Sequence, residues 1–149
     1  SLLGVFDKAF VPKMLEALKI NGATSAMVVS SKEGMDEISI SDITYASRLH
    51  NGIIHEFEID PEQCGIKKMP LQSIIGGDAL ANAEILRKIF DGTSTDAQRD
   101  IVFINAAAAL MVDGLARDMQ DGMGMAKEAI ANARAKKKIR QIIEVSNKL

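Results

Sequence analysis

The sequence has a single cysteine, Cys64, and only two histidines, His50 and His55. An internal disulfide is impossible, which fits a reducing cytoplasm. A zinc centre of the Cys/His type, which needs several such ligands, is nearly excluded. Long apolar runs are also missing. The longest, residues 101–112, contains Asn105. A bilayer needs about 20 residues, so this run is expected to be a buried helix, and no membrane partner is expected. Charge of one sign is not in excess either. The net charge of −2 gives no general pull toward nucleic acid. There is no G-x-S-x-G elbow, Walker loop or Rossmann fingerprint, and no Ser or Cys nucleophile pattern near His50 or His55.

What is present describes a globular chain. Hydrophobic residues make up 47% and charged residues 26% of 149 positions, enough for one domain with a core. "SLLGVF" opens on an apolar strand without Met, which suggests a trimmed end or the later part of something longer. A strand at 2–6, a helix over 10–18 with Asp7 as cap, and a stop at Asn21-Gly22 come first. The run "SAMVV" at 25–29 reads as a strand covered on both faces, as in a parallel sheet. Strand, helix and strand make one right-handed crossover unit.

The texture then changes. Residues 37–40, 44–49 and 53–59 are short β-like runs, and Asn51-Gly52 is a strong hairpin signal. From Gly77 onward helices are expected: one through Ile89 and Phe90 ending at Gly92, one from Thr95 or Asp96 to Val112 ending at Gly114, one over 118–133 and one over 135–147. The whole reads as an α/β body, with a mostly parallel sheet, a β-hairpin insertion and C-terminal helices.

The candidate chemistry lies in "SSKEGMDEISI", residues 30–40. Two adjacent acids, Asp36 and Glu37, follow the flexible Gly34. At a loop-to-strand junction the backbone can turn both carboxylates toward one space. Magnesium suits such a pair, because it takes hard oxygen ligands and keeps several waters and substrate phosphates. Taken alone, a solvated acidic turn explains the pair more simply. The Gly76-Gly77-Asp78 run before a helix is a weak anion-site signal and reads as a loop with a cap. Asn82 reads as a clamp on that loop. Asn105, a polar amide on a buried helix, needs hydrogen-bond partners and reads as structural. Ala106, Ala107, Ala108 and Ala109 allow close approach of a neighbouring element. The basic cluster at 134–140 has no interleaved aromatic residues and reads as a solvated helix face rather than a nucleic-acid site. The methionines of "DMQDGMGM" read as packing.

The order of the pieces is more specific than any single one. "LLGVF", "AMVVSSKEGMDEISI", a hairpin, "GGDALANAEILRKIFDG" and "RDIVFINAAAALMVDG" together resemble the C-terminal part of the anthranilate phosphoribosyltransferase family over nearly the whole chain. The resemblance implies that residues 1–149 are an incomplete portion of a larger phosphoribosyltransferase α/β domain. The family's N-terminal helical domain and its Gly-Thr-Gly-Gly-Asp phosphate loop are not contained in this chain. Neither are its Lys-His-Gly-Asn-Arg segment and its anthranilate arginine. It implies transfer of the phosphoribosyl group of phosphoribosyl pyrophosphate (PRPP) to anthranilate, with release of pyrophosphate, in tryptophan biosynthesis. It also implies a cytoplasmic, homodimeric parent. The Gly-x-Asp-Glu motif assigns magnesium to Asp36 and Glu37. The chain alone is expected to be inactive, to bind magnesium weakly at best and to self-associate if it folds. The competing readings are a nucleoside phosphorylase or nucleic-acid-binding relative of the same fold, and a non-catalytic interaction domain.

Overall fold

The computed structural model describes residues 1–70, 72 and 79–147, with the backbone alone at 79–82. Strand β1 (Leu2–Gly4) is followed by a short 3-10 turn and helix α1 (Val11–Ile20). Asp7 accepts a bond from the Ala9 amide and so caps the turn. Pro12 sits in the first turn of α1, where its missing N–H costs nothing. Strands β2 (Ser25–Ser31), β3 (Thr44–His50) and β4 (Ile53–Ile59) complete one sheet in the order β1-β2-β3-β4. Helices α2 (Ala79–Asp91), α3 (Asp96–Val112) and α4 (Met119–Asn147) follow.

The α/β class, the hairpin and the C-terminal helices are as expected, but the sheet is mixed rather than mostly parallel. Only β1 and β2 pair parallel, while β2–β3 and β3–β4 are antiparallel. The reason lies in the connections. Parallel neighbours need a long crossover, usually a helix, and only β1 and β2 have one between them. The hairpin turns at Asn51 and Gly52, both at positive φ (51° and 78°), as a two-residue turn of this kind requires. Residues 37–40 are not a strand. They run as irregular chain, although Ile38 and Ile40 are fully buried.

Strand β2 is covered on both faces, as its unbroken apolar centre implied. Ala26 and Val28 pack with Val11 and Leu15 of α1. Met27 and Val29 face the larger core, which holds Ile104, Ala107 and Ala108 of α3 and Met123 of α4. The buried run at 101–112 is therefore the centre of the molecule. Its start carries a full capping box between Thr95 and Gln98. Its C-terminal carbonyls are closed by side chains from the sheet. Ser25 Oγ donates to the Val112 carbonyl at 2.5 Å and Arg48 to the Met111 carbonyl at 2.8 Å.

The last helix differs from expectation. A single helix, α4, runs where two were read, because residues 125–147 contain neither Gly nor Pro to break it. Met119 and Met123 are buried in the core, in a packing role. Helix α4 crosses α3 closely at Gly122. A Cβ there would lie 2.7 Å from the Ala107 carbonyl oxygen and 2.9 Å from its Cβ. Gly124 is exposed and has open space around its Cβ direction. Gly122→Ala should therefore cost about 1–3 kcal/mol by prising the helices apart. Gly124→Ala should add about 0.5–1 kcal/mol of stability by favouring the helix. Urea denaturation of the two variants checks the opposite signs.

Candidate functional site

The acid pair sits in the connection between β2 and β3, at the end of the sheet where β1 and β2 finish. Two anchors hold it. On one side, the Met35 amide donates to Ser31 Oγ at 2.7 Å, and the Ser31 amide donates to the Met35 carbonyl at 3.1 Å. Gly34, at φ 85°, makes the tight turn between them. On the other side, Asn105 of α3 grips the backbone of Ile38. Its Oδ1 accepts the Ile38 amide at 3.2 Å, and its Nδ2 donates to the Ile38 carbonyl at 3.1 Å. The same Nδ2 donates to the Ile101 carbonyl at 2.9 Å. Asp36 and Glu37 are the two residues left between these anchors.

Gly4 lies directly against the loop. An added Cβ would stand 1.4 Å from the Asp36 carbonyl oxygen and 2.2 Å from its carbonyl carbon. Only glycine lets β1 and the acid loop approach this closely. Further along, Ser39 and Ser41 hydrogen-bond to Glu33, the Ser39 amide donates to Thr44 Oγ1 at 3.0 Å, and Lys32 pairs with Asp42 at 3.8 Å. The irregular chain is thus tied by side chains where a strand would be tied by a ladder.

Asn105 is the residue whose role sequence reasoning understated. It is structural, as expected, but the structure it maintains is the acid loop. Asn105→Leu keeps the volume and removes three hydrogen bonds, leaving the amide and carbonyl of Ile38 without their partner. A loss of about 2–4 kcal/mol is expected, seen as a lowered unfolding midpoint. The changes in amide chemical shift should centre on residues 35–38 rather than on the far end of α3.

Asp36 is exposed and Glu37 half-buried. Among the described residues, neither is in an ion pair. The Glu37 carboxyl is raised above its ordinary value, first by burial and then by the neighbouring charge of Asp36. A carboxylate raised in the folded state makes folding less favourable once it must ionise. Stability of the metal-free chain should therefore fall as pH rises from about 4.5 through the raised value. Glu37→Gln should flatten that slope. Thermal unfolding of the two proteins in acetate and MES buffers checks the sign.

The other candidates separate from this place. Gly76, Gly77 and Asp78 lie outside the described residues, as does the Asn82 side chain. His50 and His55 are exposed on the hairpin. Residues 134–140 are exposed on α4, where Lys137 pairs with Asp91. Among the described residues, no group of three or more His, Cys, Asp or Glu side chains could enclose a metal ion. None of the described helices is long and apolar enough to cross a membrane. Two carboxylates without a third protein ligand fit a cation that keeps water and takes its remaining ligands from a substrate. They do not fit a cation caged by protein.

Known proteins bear on this arrangement. Residues 1–136 match the family described as glycosyl transferase family, a/b domain. Anthranilate phosphoribosyltransferase of Xanthobacter autotrophicus is 40% identical over 99% of this chain and 43% of its own length. That of Desulfatibacillum aliphaticivorans is 43% identical over 96% of this chain and 42% of its own length. The chain thus spans less than half the length of these relatives. The Thermus thermophilus anthranilate phosphoribosyltransferase has 27% identity and a TM-score of 0.75, over 93% of this chain and 40% of that one. The Saccharomyces cerevisiae enzyme in complex with PRPP and Mg superposes with a TM-score of 0.79 at 20% identity, over 99% of this chain and 43% of that one; this likeness is one of fold. The match across residues 1–136 and relatives at 40% and 43% identity establish that the chain belongs to the glycosyl transferase family, a/b domain.

Proposed function

We propose that this chain is part of an anthranilate phosphoribosyltransferase and carries the magnesium corner of its active site. The parent transfers the phosphoribosyl group of PRPP to the amine of anthranilate and releases pyrophosphate. The single observation that carries the reading is the construction of the acid pair. Asp36 and Glu37 are in no ion pair among the described residues, and their loop is held from both sides by Ser31 and Asn105 and backed by Gly4. A solvated turn has no need of three such supports.

Asp36 and Glu37 would hold magnesium as paired hard-oxygen donors. Magnesium at this corner, when bound, supplies positive charge to the departing pyrophosphate. The chain's own residues do the positioning. Ser31 and Asn105 fix the backbone on either side of the acid pair. Glu37, raised by burial and by Asp36, has its charge best accommodated when a cation is present. Among the described residues strand β1 pairs only with β2, and the acid loop rests on its last residue. The free edge of β1 is therefore the natural place for the rest of the parent to bring its phosphate cradle beside Asp36.

The relatives are more than twice as long as the matched region, so the cradle and the anthranilate pocket are assigned to the rest of the parent. The 149-residue chain alone should release no pyrophosphate from PRPP and anthranilate. The chain joined to the portion of the Xanthobacter autotrophicus enzyme that it does not span should do so in a magnesium-dependent way. Turnover by the 149-residue chain alone would defeat the proposal, as would a folded joined protein with no turnover at any magnesium concentration.

A further inference from the structure

We propose that the end of α4 is a docking helix for the remainder of the parent protein, and that the surface receiving it is an apolar groove with acidic rims. The inference rests on the reading that the chain is one part of a longer transferase.

Every residue from 134 to 147 is exposed. The helix nevertheless continues to Asn147, well past residue 136, where the family match ends. Its ties to the body are at its base, where Lys137 pairs with Asp91 and the Arg134 guanidinium lies over Gly92. Beyond that point it is a helix of about three turns with every side chain exposed among the described residues, a length that is marginal in water.

Its pattern is that of a helix with a covered face. Ala135, Ile139, Ile142 and Ile143 recur at the i, i+4, i+7, i+8 spacing and share an arc of about 100°. Ile139, Ile142 and Ile143 are 57%, 60% and 52% exposed, and Val145, just outside their arc, is 63% exposed. Three large β-branched side chains on one arc make a stripe, unlike the scattered apolar residues of an ordinary surface. Lys136 and Lys138 lie along the two edges of the stripe, with Lys137 and Arg140 behind. A partner that covers the isoleucines must meet these cations, which favours carboxylates along both sides of its groove.

A second copy of the chain is a poor occupant. Three isoleucines and a valine remove roughly 400 Å² per copy from water. Two copies would bury roughly 800 Å², the scale of crystal contacts rather than stable dimers. The helix ends would also bring like charges together. The remainder of the parent meets neither obstacle. It comprises more than half the length of the relatives, and being on the same chain it is present at high effective concentration.

The test measures hydrogen exchange of amides 134–147 and pyrophosphate release on the same sample of the joined protein described above. Exchange at these amides should slow by about 100-fold relative to the 149-residue chain. The double variant Ile139→Glu/Ile142→Glu should return it to the unprotected rate. Unprotected amides in a joined protein that turns over normally would overturn the docking proposal. Protection without turnover would support it and count instead against the assigned reaction. If the joined protein does not fold, sedimentation of the 149-residue chain decides. A monomer with fast exchange at 134–147 supports the proposal. A dimer lost in the double variant overturns it in favour of a second copy.

Discussion

Gly4→Ala is expected to displace the acid loop and to lower stability by about 3 kcal/mol or more. The added methyl would fall 1.4 Å from the Asp36 carbonyl oxygen, 2.2 Å from its carbon and 3.0 Å from its Cα. All three are backbone atoms, so no rotamer change relieves the overlap. Either β1 shifts off β2 or the loop lifts away, and overpacking of this severity lies at the upper end of what single substitutions cost. The loop is the softer element. Strand β1 is held by its parallel pairing to β2 and by the Val5 amide on the Val29 carbonyl. Asp36 itself is held only through its neighbours. The expected outcome is a folded but destabilised chain whose amide resonances change most at residues 35–38. In the joined protein, turnover should fall far more than the loss of stability explains, and excess magnesium should not restore it fully. A variant with wild-type stability and unchanged shifts at 35–38 would show that the close approach of Gly4 is not needed.

Replacing both acids separates charge from shape. Asp36→Asn/Glu37→Gln keeps the volume of the loop and removes its negative charge. Stability of the metal-free chain at neutral pH should hold or rise, because Glu37 is penalised for ionising there. In the joined protein, turnover at millimolar magnesium should fall by roughly 10²–10³-fold, the scale of several kcal/mol of leaving-group stabilisation. The harsher Asp36→Ala/Glu37→Ala should behave alike in turnover, since neither side chain belongs to the core. The magnesium titration separates binding from folding. A shifted midpoint with an intact thermal transition assigns the loss to the metal corner. Unchanged turnover across the titration would remove both residues from the mechanism.

The parts of the fold written locally were legible. Asn51-Gly52 announced the hairpin, Thr95 or Asp96 the start of α3, and Gly92 and Gly114 the ends of two helices. The acid pair also stood out, but its meaning did not. Its supports come from far along the chain: Asn105 is 67 positions from Ile38, and Gly4 lies on another strand. No periodicity connects such residues. A signal for Gly4 was nevertheless present. A glycine inside an apolar strand marks a bulge or a close backbone approach, and "LLGVF" contains one. The antiparallel pairing of β2 and β3 was also readable, because the connecting residues 32–43 are too short and too polar to make a crossover helix. The apparent strand at 37–40 misled because Ile38 and Ile40 alternate as strand residues do. Burial of irregular chain, tied by Asn105 and Thr44, produces the same alternation. The single long α4 followed from the lack of any breaker near Ala133, a lack that outweighed the change in composition there.

The most direct measurement on the central claim uses the 149-residue chain and manganese, an oxygen-preferring stand-in for magnesium. Amide resonances are recorded as the ion is added, for the chain and for Asp36→Asn/Glu37→Gln. Selective broadening at Gly4, Asp36, Glu37 and Ile38, lost in the double variant, is the predicted result even if affinity is weak. Broadening centred on other carboxylates, such as Glu58 and Asp60, or unchanged in the double variant, would contradict the assignment of the metal corner to Asp36 and Glu37.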